Sequence, residues 1–324
     1  MTIREQFQGI YTVVPTPLNE DESIDLAGLR HLVNFYADEG CHGLLILGSG
    51  GEFPYFTFEE RMQIIRAAAQ EAGERLKILA GVGFASLQEN AAFIEIAGRE
   101  KIDGFLVVLP TYYPLPFEDV LSLYRRLCVL SAKPIFYYHY PQMTGHFFSN
   151  EELTRLFSLD NLCGAKESSL SLIDIRKHLE ATSDKDFALF SGNSLSLLSV
   201  LSMGGSGAIC QIPSFAPALV VGCYNAWKSG QKELACSLQK RIQGLLPFLN
   251  TFGLSAGFQK IAYGAVSRLP VPMKKKNRSR HAVIKETLRQ LGHPISARVR
   301  SPLPQLADGD REAIYRILSE VKLT

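Results

Sequence analysis

The chain has 324 residues, of which 46% are hydrophobic and 20% are charged, so it can form a large core and is not intrinsically disordered. This length allows two domains, or one large domain with an appended region. The net charge of +2 conceals an asymmetry, because residues 271–300 contain nine lysines or arginines and one acid, Glu286. That segment alone carries about +8, which leaves about −6 on the rest of the chain.

Simple features of the chain argue against a disulfide-bonded, secreted or membrane-spanning protein. The six cysteines show no CxxC spacing, which is typical of isolated thiols in a reducing compartment. The start, Met1 to Ile10, has no apolar stretch of the secretory kind. Residues 187–227 carry no charge, but glycines and prolines interrupt every window long enough to span a membrane. We therefore predict a cytoplasmic protein without disulfides, a metal site or a membrane segment.

In chain order, short apolar runs alternate with helical patterns. Eight runs are nearly continuous in hydrophobic residues, which is typical of parallel strands covered on both faces. Most are followed by apolar residues spaced three and four apart, as in an amphipathic helix, and three capping boxes mark helix starts: Thr57 with Glu60, Ser86 with Glu89, and Ser149 with Glu152. The eight predicted strands are Ile10–Val14, Gly43–Leu47, Ile78–Ala80, Gly104–Leu109, Pro134–Tyr138, Leu162–Lys166, Phe187–Phe190 and Gly207–Cys210.

Eight such βα units require about 200 residues, which predicts a (β/α)8 TIM barrel over residues 1–212. Residues 213–324 show helical patterns alone and are predicted to pack on the barrel as a C-terminal helical region. A doubly wound open sheet is the alternative, but the turn after the first strand is Val14–Pro17 and not GxGxxG. The predicted C-terminal helices are Leu219–Trp227, Glu233–Leu246, Phe258–Ala265 and His281–Leu291.

In a TIM barrel the active site forms at the carboxyl ends of the strands, so polar residues there are candidates. Lys166 ends the sixth run, where burial would lower the pKa of its ammonium group and free the amine to attack a carbonyl. The alternative is a surface lysine in an ordinary loop. Tyr138 ends the fifth run and Tyr112 follows the fourth, and either hydroxyl could relay a proton, although tyrosines at strand ends more often only pack. His139 points to the opposite face from Tyr138 and is interpreted as structural.

Two further segments have alternative interpretations. The turn Gly48–Glu52 could cradle a carboxylate or phosphate with its backbone N–H groups, helped by the Ser49 hydroxyl, or it could be only a tight βα turn. The basic segment Lys274–Arg280 could bind nucleic acid. A solvated loop is favoured there, because no stacking aromatic side chains lie among the charges.

Taken together, these motifs resemble the class I, Schiff-base-forming pyruvate aldolases, a family that includes dihydrodipicolinate synthase and N-acetylneuraminate lyase. Gly48–Glu52 resembles the family's carboxylate-binding loop, Tyr138–Pro141 with Thr144 and Gly145 resembles its tyrosine motif, and Gly164–Glu167 resembles its Schiff-base strand. The 28-residue separation of Tyr138 and Lys166 is the family's spacing.

The resemblance implies a role for each candidate. Lys166 would form an imine with pyruvate or another 2-oxo acid, and Tyr138 would relay the proton. Tyr112 resembles the tyrosine that some members lend to a neighbouring subunit, so a homodimer or homotetramer is expected. The resemblance implies no cofactor. The remaining positions that it assigns to the substrate pocket are Ser49, Gly50, Gly192 and Ile209.

Departures from the family pattern bear on the substrate. Met143 stands where dihydrodipicolinate synthases carry an arginine for the second substrate's carboxylate, and Asn193, Ser194 and Leu195 replace the acidic pair of sialic acid lyases. The resemblance therefore favours an aldolase that cleaves 4-hydroxy-2-oxoglutarate or a 2-keto-3-deoxy sugar acid to pyruvate and an aldehyde. The alternatives are a synthase-type condensation, a Schiff-base dehydratase of a 3-deoxy-2-oxo acid, and a non-enzymatic regulatory or nucleic-acid-binding protein. The segment of residues 271–300, with its charge of about +8, is expected to lie away from the site.

Overall fold

The computed structural model describes residues 1–169, 171–245 and 279–321. Its centre is a closed barrel of eight parallel strands that pair in chain order, with the eighth strand returning to the first. Each strand falls on one of the predicted apolar runs, so the predicted (β/α)8 TIM barrel is confirmed. The strands are β1 (Gly9–Val13), β2 (Gly43–Ile46), β3 (Lys77–Val82), β4 (Gly104–Val108), β5 (Ile135–His139), β6 (Leu162–Glu167), β7 (Ala188–Ser191) and β8 (Gly207–Cys210).

Helices over the described residues surround the barrel. Thr57 and Ser149 form full capping boxes with Glu60 and Glu152. Ser86 caps its helix as predicted, but the Glu89 carboxylate accepts a hydrogen bond from the Ser86 hydroxyl. The helices are α1 (Ile3–Gln6), α2 (Leu26–Asp38), α3 (Phe58–Ala72), α4 (Leu87–Ala97), α5 (Phe117–Leu130), α6 (Pro141–Thr144), α7 (Asn150–Phe157), α8 (Leu172–Glu180), α9 (Leu197–Ser202), α10 (Pro217–Lys228), α11 (Lys232–Gly244), α12 (Arg280–Gln290) and α13 (Asp308–Glu320).

Two layers of apolar side chains fill the molecule. The inner layer lies inside the barrel, where alternate strand residues meet, and Phe7 from the segment after α1 packs its ring 4.9 Å from the ring of Phe136. The outer layer lies between the sheet and the helices, which explains why the strands are apolar on both faces. The barrel interior is therefore a packed apolar core and not a pore.

The C-terminal helical pattern is confirmed for α10, α11 and α12. The predicted helix Phe258–Ala265 and basic residues 274–278 lie outside the described residues. The division at residue 212 stays a prediction. No helix in the three described ranges is long and apolar enough to cross a membrane.

Candidate active site

Lys166 and Tyr138 are brought together by strand register. They are direct partners across β5 and β6, so their side chains leave the sheet on the same face. The Lys166 Nζ lies 4.4 Å from the centre of the Tyr138 ring. Both residues are buried, with 4% and 6% of their surfaces exposed. The structure thus joins the two residues that the sequence singled out.

Burial decides the electrostatics of Lys166. Desolvation lowers the pKa of its ammonium from 10.5 to about 8, and the nearby Cys210 thiol offsets only part of that shift. A pKa of about 8 leaves roughly a tenth of the lysine as a neutral amine at pH 7, far more than for an exposed lysine, and the neutral amine is the form that attacks carbonyl carbon.

The Tyr138 hydroxyl occupies the centre of a small polar group. Burial raises the pKa of Tyr138, while hydrogen bonds with Ser49 and Ser168 lower it in part. The Ser49 Oγ lies 3.4 Å from the Tyr138 oxygen. The Tyr138 ring stacks on that of Tyr140 with centroids 5.4 Å apart. A hydroxyl placed among serine hydroxyls and close to a lysine can pass a proton in either direction.

The predicted carboxylate loop forms a short 3-10 turn over Ser49–Gly51. Two non-glycine residues flanking this turn have left-handed backbone conformations, with φ of 57° at Leu47 and 62° at Glu52. Such conformations cost free energy and persist only where surrounding contacts impose them. The loop is therefore held in shape by its neighbours.

Those neighbours come from α12 and from the segment that follows it, and sequence reasoning missed them. The Glu52 and Lys285 side chains form an ion pair of 2.6 Å with no exposed surface on either partner. Glu52 also accepts a hydrogen bond from the Arg300 backbone N–H, at 2.8 Å. The His281 Nε2 lies 2.8 Å from the Ser49 carbonyl oxygen, to which it can donate. The expectation that residues 271–300 lie away from the site is wrong, because this part of the segment packs directly on the carboxylate loop.

A cavity of about 1100 Å³ opens at this end of the barrel. Ser49, Gly50, Tyr138, Lys166 and Gly192 all line it, as the resemblance implied.

The other two predicted site residues, Tyr112 and Ile209, do not lie beside Lys166 in the cavity lining. Tyr112 lines the outer part of the same cavity and is 85% exposed. Ile209 is not among the described residues that line the cavity. Its side chain packs in the barrel interior, and the next residue, Cys210, lines the cavity in its place.

Gly192 has a clear steric reason to be glycine. A Cβ atom at this position would lie 2.8 Å from the Glu167 carbonyl oxygen and would clash with the Ser168 hydroxyl. The close approach lets β6 and β7 place Ser168 and Asn193 on the same cavity wall. Ser168 had no sequence signal of its own.

His139 lies outside the barrel interior, as predicted from strand alternation. Its ring accepts or donates a hydrogen bond of 2.9 Å with the Tyr137 hydroxyl and lies 3.9 Å from the Glu167 carboxylate. Burial lowers the pKa of His139 and raises that of Glu167 to about 8, so both groups favour their neutral forms. Across the described ranges, no group of three or more His, Cys, Asp or Glu side chains is arranged to hold a metal ion.

Comparison with known proteins agrees with this geometry. The sequence profile described as the dihydrodipicolinate synthetase family matches residues 6–263. The chain belongs to this family. Family members are aldolases and lyases, so the chain is an enzyme of the carbon–carbon lyase group, and the non-enzymatic alternative is set aside.

Individual relatives extend the comparison. The chain is 32% identical over 318 residues to an uncharacterized DapA-like lyase of Halobacterium salinarum, covering 97% of this chain and 95% of the relative. It is 29% identical to a probable 2-dehydro-3-deoxy-D-pentonate aldolase of Escherichia coli K12, over 74% of this chain and 80% of that one. Among solved structures, the family's Escherichia coli K12 prophage protein YagE, crystallised with pyruvate, superposes with a TM-score of 0.84 at 25% identity, covering 98% of this chain and 99% of YagE.

Proposed function

We propose that the protein is a Schiff-base aldolase that cleaves a hydroxylated 2-oxo acid to pyruvate and an aldehyde. The observation that carries the proposal is the buried Lys166 at the cavity floor, with its pKa lowered to about 8 and its Nζ 4.4 Å from the Tyr138 ring centre. A lysine kept partly neutral inside a cavity is the form that imine chemistry requires.

The first step joins enzyme and substrate. The neutral Lys166 amine attacks the C2 ketone, and loss of one water gives a protonated imine. Ser49 and the Gly50 backbone N–H would hold the C1 carboxylate, because both line the cavity beside Tyr138. Binding at C1 would aim the rest of the substrate toward the cavity mouth.

The second step breaks the C3–C4 bond. Tyr138 would relay the proton of the C4 hydroxyl, accepting it as its own phenolic proton passes to the Ser49 hydroxyl and on to solvent. The C3–C4 electron pair would move into the imine to form an enamine, and C4 would leave as an aldehyde. Protonation at C3 and hydrolysis by one water release pyruvate and regenerate Lys166. The imine thus serves as the electron sink, and no cofactor is required.

The polar groups around Lys166 support a hydroxylated substrate. Asn193, Ser194 and Gln142 line the cavity and offer neutral hydrogen-bonding groups for hydroxyls or a carbonyl. Met143 lines it without a charge. The pentonate aldolase among the relatives agrees with a 2-keto-3-deoxy acid of this kind. A synthase or a dehydratase would use the same imine, and analysis of the products separates these reactions.

Trapping the imine tests the proposal. Borohydride reduction in the presence of pyruvate should add covalent mass to the peptide that contains Lys166, and K166R should abolish the adduct. K185R is a matched control, because the Lys185 ammonium donates to the carbonyls of Phe157, Leu159 and Leu162 and does not line the cavity. An adduct on another lysine, or none, would refute the mechanism.

We also propose that the protein assembles as a homo-oligomer that covers the exposed Tyr112 and Tyr113 side chains, whose rings pack 4.8 Å apart at the cavity's outer edge. Light scattering on wild type and on a Tyr112→Asp variant tests this. A monomeric wild-type protein would contradict it.

A further inference from the structure

A carboxyl group is buried directly behind Lys166. Glu167 is the last residue of β6, its side chain leaves the sheet on the face opposite to that of Lys166, and it has no exposed surface. Among the described residues, no lysine or arginine forms an ion pair with it, and the nearby His139 ring favours its neutral form. Burying a carboxyl without a counter-charge costs free energy. Stability alone therefore does not explain a glutamate at this position.

The Glu167 carboxyl holds the turn that follows β6. One of its oxygens accepts a hydrogen bond of 2.7 Å from the Ser169 backbone N–H. The Gln142 amide, on α6, donates to the carbonyl oxygens of Ser168 and Ser169 at 3.1 and 2.9 Å. The Glu167 carbonyl oxygen accepts from the Gly192 N–H at 2.6 Å. The turn is thus fixed from behind the sheet, from α6 and from the end of β7.

This turn brings Ser168 into the cavity. Its side chain lines the cavity, and its hydroxyl hydrogen-bonds with the Tyr138 hydroxyl. The Ser168 N–H donates to the His139 carbonyl at 2.9 Å, which ties the residue to the strand that bears Tyr138. The Ser49 hydroxyl lies 3.4 Å from the Tyr138 oxygen, a long contact compared with the roughly 2.5 to 3.0 Å of an ordinary hydroxyl hydrogen bond. Ser168 is therefore a second partner for Tyr138, and its position depends on the turn.

We propose that Glu167 is a positioning residue for catalysis, whose carboxyl fixes the turn so that the Ser168 hydroxyl donates to the Tyr138 oxygen during proton transfer. This inference rests on the proposed function, because it takes the imine at Lys166 and the relay at Tyr138 as given. The Tyr138 oxygen gains negative charge as its phenolic proton moves toward Ser49, and a hydroxyl already aimed at that oxygen stabilises the charge without reorganisation. Glu167 is not among the described residues that line the cavity, so it acts through the turn alone.

Pyruvate alone is sufficient to test this relay. Its imine at Lys166 would lose one C3 proton to Tyr138 while the phenolic proton passes to Ser49, and the C3–H electron pair would become the enamine double bond. In D2O the reverse route returns a deuteron to C3, so NMR of the pyruvate methyl group measures proton transfer in the cavity. Borohydride trapping measures imine formation separately. The two rates together distinguish a weakened relay from a damaged imine site.

Two substitutions remove the two ends of the arrangement. S168A should slow methyl exchange by about 10- to 100-fold, the size of one lost hydrogen bond to a charged group, and leave trapping within about twofold of wild type. E167M cannot accept from the Ser169 N–H and should slow exchange by about fivefold or more, with trapping equally preserved. E167Q keeps an acceptor oxygen on a side chain of the same shape and should stay within about threefold of wild type.

The double variant E167M/S168A identifies the route by which Glu167 acts. If the carboxyl acts only through the Ser168 hydroxyl, the double variant should exchange no more than about twofold slower than S168A. A merely structural glutamate would instead slow S168A further, by the factor that E167M shows alone. E167D has a side chain too short to reach the Ser169 N–H and should repeat the pattern of E167M, which keeps the test available if E167M does not fold.

S131A is the matched control for S168A. Ser131 is also buried, and its hydroxyl donates to the Lys133 carbonyl at 2.7 Å, beside the opposite end of β5 from His139. Loss of this hydroxyl should leave both the exchange rate and the trapping rate unchanged.

The outcomes separate this inference from the proposed function. Wild-type exchange in S168A or in the Glu167 variants, or independent effects in the double variant, would overturn the inference while the proposed function stands. Y138F that exchanges as fast as wild type would also overturn it, because no relay would then pass through Tyr138. If wild type itself forms no pyruvate adduct at Lys166, the proposed function fails, and the role of Glu167 fails with it.

Discussion

The buried ion pair between Glu52 and Lys285 offers a sharp test of how α12 supports the carboxylate loop. Both side chains are without solvent exposure, and their charged atoms are 2.6 Å apart. The Lys285 ammonium also donates to the Arg298 carbonyl at 2.7 Å, and Glu52 accepts from the Arg300 N–H. K285M replaces the ammonium with a neutral chain of similar volume and leaves the Glu52 carboxylate buried without its counter-charge.

The magnitude follows from the cost of an unpaired buried charge. Removing one partner of a buried ion pair costs about 3 to 5 kcal/mol, which is a large share of the roughly 5 to 15 kcal/mol of a typical folded domain. With a urea slope of about 3 kcal/mol per M, the unfolding midpoint should fall by about 1 to 1.7 M. The double variant E52Q/K285M contains no buried charge at this place and should recover at least half of that loss.

The assay is equilibrium urea unfolding of wild type, K285M, E52Q/K285M and R99A, all at one protein concentration. R99A removes an ion pair with Glu95 in which both side chains are well exposed, so it should leave the midpoint unchanged. K285M should also raise the pyruvate concentration needed for half-maximal borohydride trapping, because the loop bearing Ser49 loses its anchor. If the double variant is no more stable than K285M, the uncompensated charge is not the cause of the loss. If K285M is as stable as R99A, the buried pair does not anchor the loop at all.

Four further predictions concern Lys166, Tyr138 and Ser49, which line the cavity. Because the folded pKa of Lys166 is about 8 and its ordinary value is 10.5, the unfolded chain binds more protons between these values. The free energy of unfolding of K166M should therefore exceed that of wild type by about 3 kcal/mol at pH 7, and this difference should vanish as the pH rises from 8 toward 10.5. A difference that is constant with pH would contradict the reasoning. The trapping rate of wild type should rise with pH and level off above an apparent pKa near 8, and a flat profile from pH 6 to 9 would show that the amine is not the titrating group. Y138F should lower kcat about 10²- to 10⁴-fold and still form the pyruvate adduct, and equal losses of kcat and trapping in this variant would assign Tyr138 to binding. S49A should raise KM about 10-fold and leave the pH profile of the reaction unchanged.

Strand and helix positions were predictable from the sequence for a local physical reason. A strand buried on both faces must be continuously apolar, and a helix packed on it must repeat its apolar residues every three or four positions. Capping residues such as Thr57 and Ser149 mark where helices begin, because each side chain accepts a hydrogen bond from the backbone N–H three residues further along the chain. The alternation of a strand also placed Tyr138 inward and His139 outward.

The parts that were missed involve residues far apart in the chain. Glu52 and Lys285 are each ordinary charged residues in sequence, and their pairing exists only because α12 folds back over the loop after β2. Arg280 looked like one member of a solvated basic segment, and the structure places it on the cavity wall. The resemblance placed Ile209 in the substrate pocket; its side chain packs in the barrel interior, and among the described residues it is Cys210 that lines the cavity.

The sequence by itself determined the barrel, the order of its strands and the pairing of a lysine with a tyrosine at neighbouring strand ends, because these depend on short-range patterns and on motif spacing. Only the tertiary structure decided the electrostatics of the site. Burial sets the pKa of Lys166, and a helix more than 200 residues downstream both fixes the carboxylate loop and brings the Arg280 charge to the cavity. Charges interact through space according to distance and local dielectric, and neither quantity is encoded in the position of a residue along the chain.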